Sequence, residues 1–230
     1  MNPKEKRELE RQQLSNQRRS EVLQAAKRVF HSKGIESATM SDIAQEAEIG
    51  VASLYRYFNT KPELVIETGI DYCRDVIASQ PHRSADVALS GLNQVRALLN
   101  DLLRICDERQ DFLIFLQQFD FYFANKENYH PRLAEFEPAI FPLVSPWFDA
   151  MECGLRDGSI ISGIQSVDAV ALILRSFVSL QQRNLTRDHI LSIDERFDRN
   201  AQLGMLFDMV IHYLAAPDNA AAGTSEVANR

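Results

Sequence analysis

The 23-residue stretch from Thr39 to Lys61, TMSDIAQEAEIGVASLYRYFNTK, restricts the fold of this chain more than any other. Thr39-x-x-Asp42 stands just before an apolar-periodic run. A threonine hydroxyl there accepts from a free N–H of the first helical turn, and Asp42 reaches back in return. Ile43, Ala44 and Ala47 supply the buried stripe of a short helix, and Glu48-Ile49-Gly50 suits a sharp turn. A second short helix begins near Val51. Its Leu54 and Phe58 are four residues apart and share a face. The other face carries Ala52, Ser53, Arg56 and Tyr57, with Tyr55 at the side. Two short helices joined by a tight glycine-containing turn signal a helix-turn-helix. The small side chains at the start of its second helix permit close approach to base edges, while Tyr, Arg and Lys reach phosphates. The plainer alternative is a three-helix bundle with no nucleic-acid role.

The order T-x-x-D-I-A, a short turn, then L-Y-R-Y-F-x-x-K-x-x-L resembles the DNA-binding domain of the TetR family of bacterial transcriptional regulators. The matching residues are Thr39, Asp42, Ile43, Ala44, Leu54, Tyr55, Arg56, Tyr57, Phe58, Lys61 and Leu64, within residues 17–66. One departure is Glu48, where family members often carry Gly. It sets a negative charge near the DNA face. The resemblance implies an all-α chain: an N-terminal three-helix DNA-binding unit, then a larger helical domain for ligand binding and dimerisation. On the matched helices, Tyr55, Tyr57 and Lys61 are expected on phosphates, and Ser41, Val51, Ala52 and Ser53 toward the groove. Thr39 and Gly50 complete the expected DNA-binding set.

Net charge is −7, which looks wrong for a DNA binder until its distribution is read. Residues 1–62 hold 11 Lys/Arg against 8 Asp/Glu, whereas residues 63–230 hold 14 against 24, so the basic excess sits with the motif. No apolar run approaches the roughly 18–20 residues of a membrane span, and the charged N-terminus lacks a signal-peptide core. Cys73, Cys106 and Cys153 are odd in number and form no C-x-x-C pair, which argues against a disulfide framework and fits a cytoplasmic protein. His31, His82, His130, His189 and His212 show no metal spacing. Neither metal nor cofactor is expected.

Along the chain, residues 1–15 read as a flexible, charged extension, either a solvated frayed helix or a basic arm touching DNA. Arg18 and Arg19 are stronger phosphate candidates. Residues 16–61 form the expected DNA-binding domain, 62–216 the helical ligand-binding and dimerisation domain, and 217–230 a disordered tail. Val22, Ala25, Ala26, Val29 and Phe30 give the first helix a 3.6-residue period over 16–32, with Gly34 suited to its C-terminal cap. Pro62 suits the first turn of the next helix, which Pro81 ends. Leu89–Glu108 reads as a long amphipathic helix. Pro138, Pro142 and Pro146 predict an irregular entry to a helix through Trp147, Phe148, Met151 and Leu155, ended by Asp157-Gly158. Ser166 is expected to cap the next helix, and Asp194 to start the last, with Phe197 on it.

Phe112, Phe115, Phe119, Tyr122 and Phe123 share one helical face. They form either a core stripe or one wall of an apolar cavity, with Trp147, Phe148 and Phe177 opposite. In the second case the partner is a small apolar or aromatic effector. The helices over 167–185 and 195–214 are apolar on more than one face and are expected to pair with their symmetry mates, Gly204 permitting close approach. Phe177→Asp is then expected to break the dimer. Three functions were compatible with these features: a ligand-controlled repressor of operator DNA, a helical enzyme, and an interaction module without DNA binding. No nucleophile elbow, phosphate loop, paired metal ligands or HExxH motif supports an enzyme, and no catalytic residue is assigned.

Overall fold

In the computed structural model, the described residues are 2–80, 89–186 and 198–217. They are all-α, with an N-terminal helix-turn-helix and a larger helical C-terminal domain. Nine α-helices are described: α1 (Pro3–Lys33), α2 (Met40–Glu46), α3 (Val51–Leu54), α4 (Lys61–Ser79), α5 (Gly91–Glu108), α6 (Gln110–Ala124), α7 (Phe136–Asp157), α8 (Ser166–Thr186) and α9 (Arg199–Leu214). Pro81, His82, His189, Asp194 and Phe197 lie outside the described residues, as does the expected tail beyond Pro217. The chain divides into two compact units, residues 1–75 with 114–140, and residues 76–113 with 141–230.

In the first unit, α1 starts thirteen residues before the expected position 16. The reason is local: Asn2 caps it, accepting from the Lys4 N–H, while Glu5 takes the Asn2 N–H at 2.8 Å. The helix ends where Gly34 takes a positive φ of 80°. Val22, Ala25, Ala26, Val29 and Phe30 face the core, together with Ile35, Ile43, Leu54, Phe58 and Leu64. Each large side chain so buried contributes about 1.5–3 kcal/mol. Ion pairs tie α1 to α4: Lys27 Nζ lies 2.7 Å from Asp71 and 2.6 Å from Asp75, and sits over the Tyr72 ring.

In the second unit, α5 and α7 cross at glycines. A Cβ at Gly91 would lie 1.9 Å from the Gly154 backbone nitrogen, so only hydrogen fits. The N-terminus of α5 is held by the last residue of α7 and the chain just beyond it. Gly91 N–H donates to Asp157 Oδ2 at 2.8 Å, and Leu92 N–H to Ser159 Oγ at 3.0 Å. Among the described residues, one antiparallel bridge, Ile160 with Ala215, fixes the end of α9. Gln181 and Gln182 on α8 donate to the Cys106 and Leu113 carbonyls.

The expected irregular entry around the prolines is corrected. Pro142 and Pro146 lie inside a continuous α7. Each proline removes the hydrogen bond to the carbonyl four residues back. At this spacing the orphaned acceptors are the carbonyls of Pro138 and Pro142. All three prolines are exposed, so water can take those bonds. Among the described residues, no helix is long and apolar enough to cross a membrane.

Candidate nucleic-acid interface

Thr39 caps α2 through a reciprocal box. Its Oγ1 accepts from the Asp42 N–H at 3.1 Å, and Asp42 Oδ2 accepts from the Thr39 N–H at 2.9 Å. Lys33 Nζ lies 2.6 Å from the other Asp42 oxygen. The Lys33 ammonium and the Thr39 bonds hold the Asp42 carboxyl at about 2, below its ordinary 3.8. A depressed carboxyl stabilises the fold above its unfolded pKa, and that contribution is lost as pH falls through the folded value. Thr39→Ala is therefore expected to raise the Asp42 pKa toward 3.8 in an NMR titration and to cost about 1 kcal/mol, as loss of an N-cap hydroxyl does. An unmoved titration would assign the shift to Lys33 and the Thr39 backbone N–H, which alanine keeps.

The turn between α2 and α3 is carried by Glu48, whose φ is 53°. This is the position where the sequence departs from the family's glycine. The left-handed conformation costs a non-glycine residue about 1–2 kcal/mol, and Glu48 N–H still donates to Gln45 O at 3.1 Å. Gly50 then precedes α3 in an extended conformation with no side-chain cap. The regular helix ends at Leu54, but the Phe58 N–H donates to Leu54 O at 3.0 Å, which continues the turn. Leu54 and Phe58 are fully buried, as their spacing requires.

The outer face of this pair presents Thr39, Ser41, Gly50, Val51, Ala52 and Tyr55 to solvent, with Ser53 and Tyr57 half-buried. Arg56 Nη2 donates to Ser53 Oγ at 3.0 Å. Arg18, Glu21, Val22, Ala47, Ile49, Ser53, Arg56 and Tyr57 line a cleft of about 190 Å³. Arg18 pairs with Glu21 at 2.7 Å. Arg19, an expected phosphate contact, is engaged elsewhere: it pairs with Glu67 at 2.7 Å, donates to the Tyr57 carbonyl at 3.1 Å and lies over the Phe58 ring. Lys61 Nζ donates to Glu36 O at 2.8 Å and stands 5.3 Å from the Tyr122 ring centroid, and burial lowers its pKa. An ammonium has three donors, so that bond leaves capacity for a phosphate.

Arg132, to which the sequence alone assigns no role, braces the same unit. It pairs with Glu63 at 2.7 Å, with Glu135 at 2.8 Å, and with Glu67, while Glu63 accepts from the Asn59 N–H at 2.9 Å. Only contacts between distant residues reveal it.

The expected ligand-site residues divide. Phe115, Phe119 and Tyr122 belong to the first unit and Phe112, Trp147, Phe148 and Phe177 to the second. Phe115 touches Phe30, Tyr72 and Phe119, with centroids 6.2, 4.9 and 5.9 Å away, and the tilted Phe136 ring lies 4.4 Å from that of Phe119. In the second unit Phe112 and Trp147 are buried, Phe148 is half-buried and Phe177 fully buried. Sequence reading missed Gln181 and Asn184, one and two turns beyond Phe177 on α8. The buried Gln181 Oε1 and Asn184 Nδ2 carry no hydrogen bond. Cys73, Cys106 and Cys153 are free, and burial pushes the first two thiols up to about 12.

Residues 22–68 match the model of the bacterial regulatory proteins of the tetR family. An uncharacterized HTH-type transcriptional regulator, YfiR of Bacillus subtilis, is 35% identical over 92 residues, 38% of this chain and 45% of that protein. The HTH-type transcriptional repressor KstR2 of Mycolicibacterium smegmatis is 28% identical over 152 residues, 62% of this chain and 67% of that one. The chain thus spans less than half of the first relative and about two thirds of the second. The crystal structure of the transcriptional regulator FadR from Bacillus subtilis in complex with stearoyl-CoA has the same fold. Its TM-score is 0.56 at 14% identity, over 85% of this chain and 98% of that one. These proteins are transcriptional regulators, not enzymes.

Proposed function

Because the chain belongs to the TetR family of bacterial transcriptional regulators, we propose that it is a ligand-responsive, sequence-specific repressor that binds a double-stranded DNA operator as a homodimer. The observation that carries this reading is the capped α2, the left-handed turn at Glu48 and the exposed outer face of α3. In this reading residues 16–61 read DNA and 62–216 bind effector and partner. Ser41, Val51, Ala52 and Ser53 face the major groove, and Tyr55, Tyr57 and Lys61 hold phosphates. Thr39 and Gly50 set the two helix starts and offer polar groups to the backbone. A cytoplasmic location follows from the DNA target.

The effector is a small, largely apolar molecule. The aromatic residues of the second unit, Phe112, Trp147, Phe148 and Phe177, supply the apolar lining. The unpaired Gln181 Oε1 and Asn184 Nδ2 on the same α8 face supply polar anchors. Sites of this kind are mostly apolar with a few placed polar groups. An unsatisfied buried polar atom costs about 1–3 kcal/mol, which a ligand's polar end would recover. Phe115, Phe119 and Tyr122 form a separate aromatic group within the first unit, an alternative seat for such a ligand. The acyl-CoA bound by FadR makes acyl chains one class to try. Repression is relieved if the ligand prefers the DNA-incompetent arrangement, and a coupling of about 1–3 kcal/mol is typical.

The test is selection of bound fragments from a random duplex pool. A two-fold related motif is expected, with half-sites about one or more helical turns apart. Ser53→Ala should then shift base preference within each half-site, and fatty acids, acyl-CoAs and aromatic acids should be screened for release of the selected duplex. Recovery of no enriched sequence would defeat the repressor reading. A sequence preference unchanged by Ser53→Ala would remove Ser53 from the reading face.

A further inference from the structure

We infer that the N-terminal half of α1 is a rigid DNA-backbone clamp that extends each half-site beyond the bases read by α2 and α3. This rests on the DNA-binding reading above and adds a partner surface to it. Lys4, Arg7, Arg11 and Arg18 stand at i, i+3, i+7 and i+14. That spacing puts all four on one face of a helix. The helix is continuous and capped from Pro3 to Lys33, so the stripe is held in line rather than carried on a loose arm. Lys4, Arg7 and Arg11 are exposed.

Position 18 fixes where the stripe points. Arg18 lines the cleft shared with Ser53, Arg56 and Tyr57, so the basic face continues the face that presents α3. Glu21 pairs with Arg18 at 2.7 Å where the stripe meets the cleft, and the acidic residues of positions 4–17 do not interrupt it. Glu5 and Glu10 lie off this face, and Glu8 borders it with only a 3.7 Å exposed contact to Arg11. Exposed pairs of that kind are worth little against a phosphate. Lys6 lies toward the opposite side. From position 4 to 18 the helix rises about 21 Å. Successive phosphates of one strand are about 3.4 Å apart along the duplex axis, so the stripe spans about six base pairs. Charge complementarity, rigidity and alignment with the reading face together fit a duplex backbone.

Phosphate contacts are independent of sequence, so the test needs no operator. The full chain and a Lys4→Gln/Arg7→Gln/Arg11→Gln variant are titrated against a mixed-sequence duplex of 40 base pairs over a series of salt concentrations. Glutamine keeps helix propensity close to that of lysine and arginine, and circular dichroism checks that α1 persists. The logarithmic salt slope is expected to fall by about 2–3 per subunit for three lost contacts. Lys6→Gln, off the stripe, is expected to leave the slope nearly unchanged. An unaltered slope in the triple variant would overturn the clamp. So would a loss from Lys6→Gln equal to that from Arg7→Gln, because it would signify diffuse attraction. A wild-type protein that binds no duplex at low salt would instead overturn the repressor reading itself.

Discussion

A variant carrying Leu172→Asp and Met209→Asp is expected to run as a monomer in light scattering at micromolar concentration, and to bind its selected operator about 100-fold or more weakly. Leu172 on α8 is 68% exposed, and Met205, Met209 and Tyr213 on α9 are 61, 68 and 69% exposed. The three α9 residues stand at i, i+4 and i+8, so they form one apolar stripe. Large apolar side chains collected on one face mark an interaction surface. Aspartate there would bury an unpaired charge on association, which a protein interface does not tolerate. The loss of operator affinity follows from geometry. One α3 reads one half-site, and a monomer forfeits the effective concentration that a linked second half-site supplies. Phe177→Asp, the substitution that the apolar pattern alone would suggest, is the wrong probe. Phe177 is fully buried within the subunit, so a charge there would unfold it. A double variant that remains a dimer would remove α8 and α9 from the interface.

Gly91→Ala is expected to destabilise the protein by about 3 kcal/mol or more, the upper end of overpacking costs. In a chain of this size that lowers Tm by about 6–12 °C. The added methyl would sit 1.9 Å from the Gly154 nitrogen, 2.3 Å from its Cα and 2.6 Å from the Ala150 carbonyl. These are backbone atoms of a neighbouring helix and cannot rotate away. Moving them would also strain the bonds from Gly91 N–H to Asp157 and from Leu92 N–H to Ser159. Asp157 itself would report the shift. Burial opposes its ionisation, but Ser159 and the Gly91 N–H more than compensate and keep its pKa low. Gly204→Ala is the contrasting case. A methyl there meets nothing within 4 Å inside the subunit, and alanine favours a helix interior by about 1 kcal/mol. Any loss at Gly204 would arise between subunits. Thermal denaturation of both variants decides this, and a Gly91→Ala protein of unchanged Tm would contradict the close crossing.

The sequence by itself determined the helix-turn-helix. Its defining interactions are local: Thr39 and Asp42 are three residues apart, Leu54 and Phe58 four, and the turn lies between them. Caps and periodicity act over one or two turns of chain, so a linear reading recovers them. The departure at Glu48 was also visible, and it falls where a positive φ is taken. What the tertiary structure decided is which groups remain available. Arg18 and Arg19 are neighbours of equal promise in sequence. Arg19 is committed to the buried Glu67 and the Tyr57 carbonyl, whereas Arg18 pairs only with the half-exposed Glu21 and stays at the cleft. Lys61 gains the Glu36 carbonyl, 25 residues away, and Arg132 gains Glu63 and Glu67. The aromatic stripe was legible as a helical face, but not its division. Phe115 and Phe119 join Phe30, Tyr72 and Phe136, while Phe112 belongs with the other unit. The proline-bearing α7 was misread because the loss of a backbone bond is visible in sequence, and the exposure that lets water replace it is not. Partner choice and solvent access depend on residues far apart in the chain, and only the folded packing brings those residues to one place.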